Sequence, residues 1–593
     1  MMILLVAINA KYIHSNLAVY SLKAYADDPN VELVEYTINQ QVDDVLMDIY
    51  RKRPDVLCFS CYIWNLDFVE ELVREIGKLR PGMPIWLGGP EVSYDAREVL
   101  RRLPQVKGVM KGEGEVTFAK LCRIYHCVDD FSEMVDISGK KGENFRQSEE
   151  RIRLQVDNRL LHVDGITFRL WNGDVVENSW REVMDLSEVP FVYADMKEFE
   201  HKIVYYESSR GCPFSCSYCL SSVDKKLRFR DLSLVKRELQ FFIDHKVPQV
   251  KFVDRTFNCR HDHSMAIWQY ILEHDKGITN FHFEVAADIL NEEELKLMER
   301  MRPGLIQLEI GVQSTNPDTI RAIRRTMDFE KVAGIVRRIQ NMGNIHQHLD
   351  LIAGLPHEDI ESFAKSFDDV YALRPEQLQL GFLKVLKGSF MEEHQEEYGL
   401  VHKDRPPYEV LYTRWLSYED VIRLKGIEEM VEVYYNSRQF TNTMEELVRE
   451  YDSAFQMYDE LSHFYEERGY GSIQHKRSTR YAILLEYIAL HFPQKEEYYR
   501  EKLTYDYYLR ENAKSRPEFA GEYKVEKAKL RSFYENEENS RRYLPAYEAY
   551  DRNQMRKMTH LEYFASTKEY ILFDYMERNP LNQEARVCIV ESV

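Results

Sequence analysis

The sequence predicts an α/β protein: a doubly wound parallel sheet first, a partial (β/α)6 barrel of the TIM type in the middle, and a mainly helical C-terminal part. Three observations predict it. Short apolar runs alternate with amphipathic helical stretches over about the first 125 of 593 residues, and the alternation returns from 203 to 385. Strands alternating with helices build parallel sheets. Between these regions, residues 129–190 break the rhythm. Beyond about residue 395, Tyr, Glu, Lys and Arg dominate at helical spacing while Gly and Pro thin out.

Taken in order, MILLVAIN (2–9), VELVEYTI (31–38), DVLCFSCYIW (55–64), MPIWLGG (83–89) and VKGVMKGEGE (106–115) read as five strands, with helices at 15–27, up to Tyr50, at 66–79 and near 94–103. SGKKGENFRQSEER reads as polar linker, and GITFRLWNGDVVENS (165–179) as a hairpin turning at Asn172-Gly173. Six further strands follow: IVYYESS (203–209), QVKFVD (249–254), FHFEVAA (281–287), LIQLEIGVQ (305–313), HQHLDLIAG (346–354) and QLQLGFLKV (377–385), with helices such as 231–245, 291–301 and 328–342 between them. Six βα units in this span fit a partial barrel. The expected domains are 1–128 (doubly wound sheet), 129–200 (linker with hairpin), 201–394 (barrel) and 395–593 (helical).

The formal net charge of −20 argues against broad affinity for nucleic-acid phosphates. No apolar run reaches the ~18 residues of a membrane helix. The N-terminal apolar run has no basic region before it and no small-residue cleavage site, so it reads as a buried strand and not as a secretory signal. Nine cysteines in a chain of this length do not make a disulfide scaffold; a cytoplasmic, reducing location is expected, where clustered thiols signal metal or redox chemistry.

The sharpest feature is SSRGCPFSCSYC, which sets Cys212, Cys216 and Cys219 in a C-x3-C-x2-C pattern directly after a predicted strand. Three thiolates so close can wrap one face of an iron-sulfur cluster and leave one iron open to another ligand. Buried core thiols or a three-thiolate zinc site are the alternatives. The strand ends that follow carry polar residues where a barrel site belongs: Asp254, Thr256 and Asn258; Glu284; Glu309, Gln313 and Ser314; Arg324 and Arg325; Asp350 and the Gly354-Leu355-Pro356 turn. In the first sheet, strand ends carry Ser60, Tyr62 and Trp64, then Gly88, Gly89 and Pro90, then Gly112, Glu113, Gly114 and Glu115. Glycines there let backbone approach a flat, bulky ligand closely.

The cysteine stretch resembles the signature of the radical S-adenosylmethionine (radical SAM) superfamily, with Tyr218 at the aromatic position before the last cysteine. The resemblance implies a [4Fe-4S] cluster whose fourth iron binds the amino and carboxylate groups of S-adenosylmethionine, and reductive cleavage of that cofactor to a 5′-deoxyadenosyl radical and methionine. The barrel segments resemble the subgroup that pairs the barrel with a cobalamin domain. There Asp254, the GVQS stretch with Gln313 and Ser314, and Arg325 match positions near the cofactor. Arg255 stands where that subgroup often has a second Asp.

The order S-x-Y-x-W, GGP, GEGE resembles the Rossmann-like cobalamin-binding domain of the same enzymes. The Asp-x-His-x-x-Gly loop of methionine synthase-type cobalamin proteins is absent, and the loop after the first strand reads NAKYIHSN, with His14. The C-terminal part resembles a helical domain attached to this subfamily, for which the resemblance supplies no chemistry. The expectation is therefore a cobalamin-dependent radical SAM enzyme, with methylation of an unactivated carbon as the commonest family outcome, an unidentified substrate, and an electron donor such as flavodoxin or ferredoxin. The rival readings are a methylthiotransferase acting on tRNA or protein, and a non-catalytic corrinoid or iron-sulfur sensor.

Overall fold

The computed structural model describes residues 1–128, 143–223, 225–471 and 473–591. Its first layer is a seven-stranded sheet in the order β2-β1-β3-β4-β5-β6-β7. The strands are β1 (Ile3–Asn9), β2 (Val31–Thr37), β3 (Val56–Ser60), β4 (Ile85–Gly88), β5 (Val106–Met110), β6 (Ile166–Arg169) and β7 (Val175–Glu177). The first five run parallel. Every residue of β1 and β3 is buried, as strands covered by helices on both faces require. Chain order reverses between β1 and β3, and that switch point opens a crevice at the strands' carboxyl ends.

The hairpin forms at the predicted place, but it is part of this sheet and not of a linker: β6 pairs antiparallel with β5, and β7 with β6. The polar stretch before it contains a helix, Glu143–Leu160, where sequence reading expected linker. Ile152 and Val156 bury its inner side against the sheet. The remainder of the expected linker, 129–142, lies outside the described residues.

The second layer is a six-stranded sheet in the order β15-β14-β13-β12-β11-β8. Its strands are β8 (Val204–Tyr206), β11 (Gln249–Phe252), β12 (Asn280–Val285), β13 (Ile306–Gln313), β14 (His346–Ala353) and β15 (Gln377–Phe382), all parallel. After β8 a short antiparallel pair, β9 (Ser209–Arg210) and β10 (Arg228–Phe229), brackets the cysteine loop. The partial barrel leaves β15 with an open edge. The Asn436 side chain meets it like a neighbouring strand, accepting from Leu378 N at 2.9 Å and donating to Leu378 O at 2.8 Å, so this edge does not go unpaired.

The C-terminal part is helical from Tyr418–Val431 to Arg552–Met558 and buries its tyrosines: Tyr434, Tyr458, Tyr481 and Tyr487 are each fully enclosed. Residues 559–590 correct the helical reading. They form a three-stranded antiparallel sheet of β18 (Thr559–Phe564), β19 (Glu569–Arg578) and β20 (Ala585–Val590). The alternating buried positions Leu561, Leu572 and Val590 turn inward onto the helix Lys527–Ser540, while charged residues on the other face mask the two-residue period in the sequence. Among the described residues, no helix is long and apolar enough to cross a membrane.

The first sheet docks on the barrel through several contacts. His14 forms a parallel bridge with Ile203, and Ile203 N donates to Ile13 O at 2.7 Å. Lys202 pairs with Glu35. From the C-terminal side, Lys387 reaches Asp95 at 3.0 Å, and Tyr408 donates to Glu91.

Candidate functional site

The carboxyl ends of the two parallel sheets face each other across a cavity of about 660 Å³. The first sheet supplies Asn9 and His14 after β1, Ser60, Tyr62 and Trp64 after β3, Gly88, Gly89 and Pro90 at β4, and Gly112 to Glu115 after β5; the barrel supplies Tyr205, Glu207, Arg210, Val253 and Arg255. All ten first-sheet residues singled out from sequence thus share one wall.

Tyr62 and Trp64 stack with ring centroids 4.4 Å apart and planes 5° apart. The turn beneath them is held by Asn65, which accepts from Tyr62 N at 2.8 Å and donates to Ile8 O at 2.9 Å and to Ser60 O at 3.0 Å. Ser60 is itself bonded to Asn16. Gly89 sits at φ +114°, and a Cβ there would meet Cys61 O at 2.4 Å, so only glycine brings the β4 end this close to the β3 end. Pro90 then opens the short helix Pro90–Ser93, where its missing N–H costs nothing. The result is an aromatic shelf beside bare backbone, which suits a broad, flat ligand.

Glu113 and Glu115 do more than line the cavity. Arg210, two residues before Cys212, donates to Glu113 at 2.9 Å, to Glu115 at 2.8 Å and to both oxygens of Glu207. Glu113 also takes Arg228 at 3.0 Å and Met184 N at 2.9 Å. Burial works against these charges. The Arg210 guanidinium nonetheless holds Glu115 below the usual carboxylate range.

The cysteine loop lies next to this wall. Cys212 and Cys216 are buried and Cys219 half-buried, none of them in a disulfide. Ser217 N donates to Ile323 O at 2.9 Å and Met391 N to Ser217 O at 3.0 Å, which pins the loop's far end to the barrel and to the chain leaving it. Burial pushes the Cys216 thiol up; the Arg325 guanidinium, with Nη1 3.9 Å from Cys216 Sγ, pulls it down, and the neighbouring Cys219 and Cys212 thiols push it up again. Arg325 also reaches Tyr218 Oη at 3.5 Å. Arg325 Nε, Gln313 Oε1 and Ser217 Oγ are buried without a hydrogen-bond partner. Orphaned polar atoms beside three converging thiols fit a ligand-bearing metal cluster better than an apolar core.

Inside the barrel, strands point polar side chains inward from mid-length. Lys251 Nζ lies 3.1 Å from Glu309, His282 Nε2 3.0 Å from the same carboxylate, and His348 Nε2 3.0 Å from Asp350. Burial alone would raise Glu309, but the His282 hydrogen bond and the charges of Lys251 and His348 hold it down at about 2. Glu309, His348 and Asp350 offer donor atoms within 4.8 Å of one another. Lys251 and His348, whose pKa Asp350 raises against burial, balance both carboxylates without an ion. Glu284, next to this group and facing Arg255, is pushed up to about 7 by burial.

Three sequence-predicted residues turn out to support the site from behind. Asp254 is fully buried and accepts from Ser208 N at 3.0 Å, Ser208 Oγ at 2.7 Å and Ser209 Oγ at 2.5 Å. It ties the end of β11 to the strand that feeds the cysteines. Ser314 donates to Glu358 at 2.6 Å and is enclosed with Ser366. Gly354, at φ +87°, packs on Val410, and a Cβ there would lie 2.7 Å from that side chain. Glu309 lies in the barrel's interior layer, paired as above. Sequence reading missed Arg210, Lys251, His282 and His348. The signal for the last three was a polar residue at every inward position of QVKF, FHFEV and HQHLDL.

The strand-end cavity and the thiol loop that starts two residues after Arg210 in its wall define an α/β protein with two adjacent candidate sites. Residues 3–122 match the B12 binding domain, 206–370 the Radical SAM superfamily, and 396–588 a family described as protein of unknown function (DUF4080). The chain thus carries a B12-binding match, a Radical SAM match and the DUF4080 match in that order along its length. Among its relatives, 2-(S-pantetheinyl)-carbapenam-3-carboxylate methyltransferase of Streptantibioticus cattleyicolor is 25% identical over 52% of this chain and 44% of the relative. The cobalamin-dependent radical SAM methyltransferase TokK of Streptomyces tokunonensis is 24% identical over 59% of this chain and 50% of the relative. The chain thus spans about half the length of these two. Among solved structures, the radical S-adenosylmethionine methyltransferase TsrM of Kitasatospora setae, with cobalamin and a [4Fe-4S] cluster bound, superposes with a TM-score of 0.53 at 17% identity, covering 69% of this chain and 82% of that one. The cobalamin-dependent radical enzyme OxsB gives a TM-score of 0.54 at 16% identity, over 85% of this chain and 79% of that one. At such identities the likeness is one of fold.

Proposed function

We propose that this chain is a cobalamin-dependent radical SAM enzyme that methylates an unactivated carbon of its substrate. One observation carries the reading: the aromatic and glycine wall of the first sheet and the start of the cysteine loop border the same cavity. When bound, the [4Fe-4S] cluster, S-adenosylmethionine and corrinoid supply the reductive C–S cleavage and the methyl carriage.

The chain's residues divide the remaining work. Cys212, Cys216 and Cys219 are assigned as thiolate ligands, with Arg325 as the nearby cation that favours the charged form of Cys216. Gln313, Arg325 and Glu284 are assigned to the polar groups of S-adenosylmethionine. Ser60, Tyr62, Trp64 and the glycines of β4 and the β5 loop are assigned to the corrinoid face. The barrel's inward Lys251, His282, Glu309, His348 and Asp350 make the space beneath polar, so a substrate or cofactor group entering it meets donors and acceptors in fixed positions. The domain division 1–128, 201–394 and 395–593 is kept, with the hairpin assigned to the first sheet. A one-electron donor of the flavodoxin or ferredoxin kind and a reducing, cytoplasmic setting suit nine cysteines, none of them in a disulfide.

The test is anaerobic incubation of the reduced protein with S-adenosylmethionine. Formation of 5′-deoxyadenosine and methionine by the wild type, and none by Cys216→Ala, is the expected result. Equal cleavage by both would refute the assignment of the cysteines.

A further inference from the structure

The Glu113, Glu115, Glu207, Arg210 and Arg228 cluster sits at the seam between the two ligand sites. Three of its carboxylates and one guanidinium lie in the cavity wall. Arg210 makes four hydrogen bonds of 2.8–2.9 Å: two to Glu207 on its own strand segment, and two that cross the seam, to Glu113 in the loop after β5 and to Glu115 at the start of the helix that follows. A planar guanidinium that is bidentate to one carboxylate and bonded to two more has little rotational freedom left. The cluster extends through Arg228, which pairs with Arg210 across β9–β10 and shares Glu113. Glu113 in turn holds Met184 N on the segment joining the two sheets.

These bonds are not needed to dock the sheets. The His14–Ile203 bridge, the Lys202–Glu35 pair and the Lys387–Asp95 pair already do so, the first two through residues just before β8 and the third through the chain after β15. What the cluster adds is a tie from the first sheet to the entry of the cysteine loop, which Asp254 holds from the barrel side through Ser208 and Ser209. Its far end is fixed to the barrel through Ser217. Its near end is fixed to the first sheet through Arg210, with only Gly211 between Arg210 and Cys212.

We propose that Arg210 is a positioning residue: by clamping Glu113 and Glu115 it sets the distance between the cysteine-bound cluster and the ligand on the first sheet. The proposal rests on the two-cofactor reading above. It gives the GEGE stretch a second role, as the anvil against which the cysteine loop is registered. Positional errors of about 1 Å between reacting groups cost about 100-fold in rate, so a rigid spacer at this point has a direct consequence for turnover.

The experiment uses holoenzyme with both metal centres in paramagnetic states and reads their dipolar coupling by pulsed EPR. The wild type is expected to give one narrow coupling. Arg210→Met is expected to keep its iron and corrinoid but to lose that narrow coupling to a broad spread. Glu113→Gln, which keeps the shape and removes the charge, is expected to broaden it less, and Arg210→Lys to recover part of it. Lys202→Met, which removes the docking pair just before β8, is expected to match the wild type. Coupling as narrow as wild type in both Arg210→Met and Glu113→Gln, with both cofactors bound, overturns the clamp and leaves the function intact. Should Arg210→Met not fold, Glu113→Gln decides alone. Wild-type protein that takes up no corrinoid refutes the two-cofactor reading, and the clamp with it.

Discussion

The two parallel sheets of this chain use the same topology in opposite ways. The first is apolar through its strands and keeps its chemistry in loops beyond their ends, where glycine backbone and the Tyr62–Trp64 stack make a shelf. The second curls and points Lys251, His282, Glu309, His348 and Asp350 into its interior from mid-strand. An open sheet has no interior, so a large ligand lies across its end. A curved one encloses a space that only polar groups from a smaller ligand can enter. Where the two face each other end to end, the cavity is walled by the first sheet's shelf and by Tyr205, Glu207, Arg210, Val253 and Arg255 of the barrel.

The largest effect that would sharpen this contrast comes from the thiol loop. Cys216→Ala is expected to lose the cluster iron and all S-adenosylmethionine cleavage while still taking up corrinoid, since the side chain that meets Cys216, Arg325, belongs to the barrel. Simultaneous loss of corrinoid, measured by its absorbance after anaerobic purification, would mean the two walls are not independent.

Next comes the flat wall. Gly89→Ala forces a Cβ to 2.4 Å from Cys61 O at φ +114°. A loss of about 2–3 kcal/mol in denaturant unfolding is expected, with reduced corrinoid uptake and unchanged iron.

The barrel's polar interior predicts a pH dependence. Burial lifts Glu284 from 4.5 to about 7, beside Arg255, Glu309, Lys251 and Asp350. The folded state therefore holds a proton that the unfolded state has released, and stability falls as pH rises from about 4.5 to about 7. Glu284→Gln removes that penalty. It should stabilise the protein by about 2 kcal/mol at pH 8 and hardly at all at pH 4.5, read as the difference in unfolding midpoint. Equal effects at both pH values would place Glu284 in a more solvated setting than the structure gives it.

The smallest effect concerns a supporting residue. Ser314→Ala leaves Glu358 with one fewer donor and should cost about 1–2 kcal/mol with no change in cofactor content.

Much of this arrangement was legible before the structure because its signals are local. Strand and helix periods gave the two βα regions, and the cysteine spacing gave the loop. Glycines at strand ends gave the flat wall. What stayed hidden depends on contacts far apart in the chain. Arg210 meets Glu113 and Glu115 across nearly a hundred residues, so nothing in RGCPFSC marks it as a clamp. Asp254 and Ser314 have site-like neighbours in sequence, yet both turn into bonds that brace the barrel, and only burial separates the two roles. The helix Glu143–Leu160 hid behind its charge, since among its described side chains few apolar ones, Ile152, Val156 and Leu160, turn in to the sheet. The sheet at 559–590 hid behind charged residues on its exposed face.

The central claim is that one cavity serves two metal cofactors. Its most direct test is the iron and corrinoid content of full-length protein purified without oxygen from cobalamin-supplied cells. The account predicts about four irons and about one corrinoid per chain. About four irons with no corrinoid, even after reconstitution, would contradict it: the first sheet would then hold some other ligand, and methyl transfer from cobalamin would have to be abandoned.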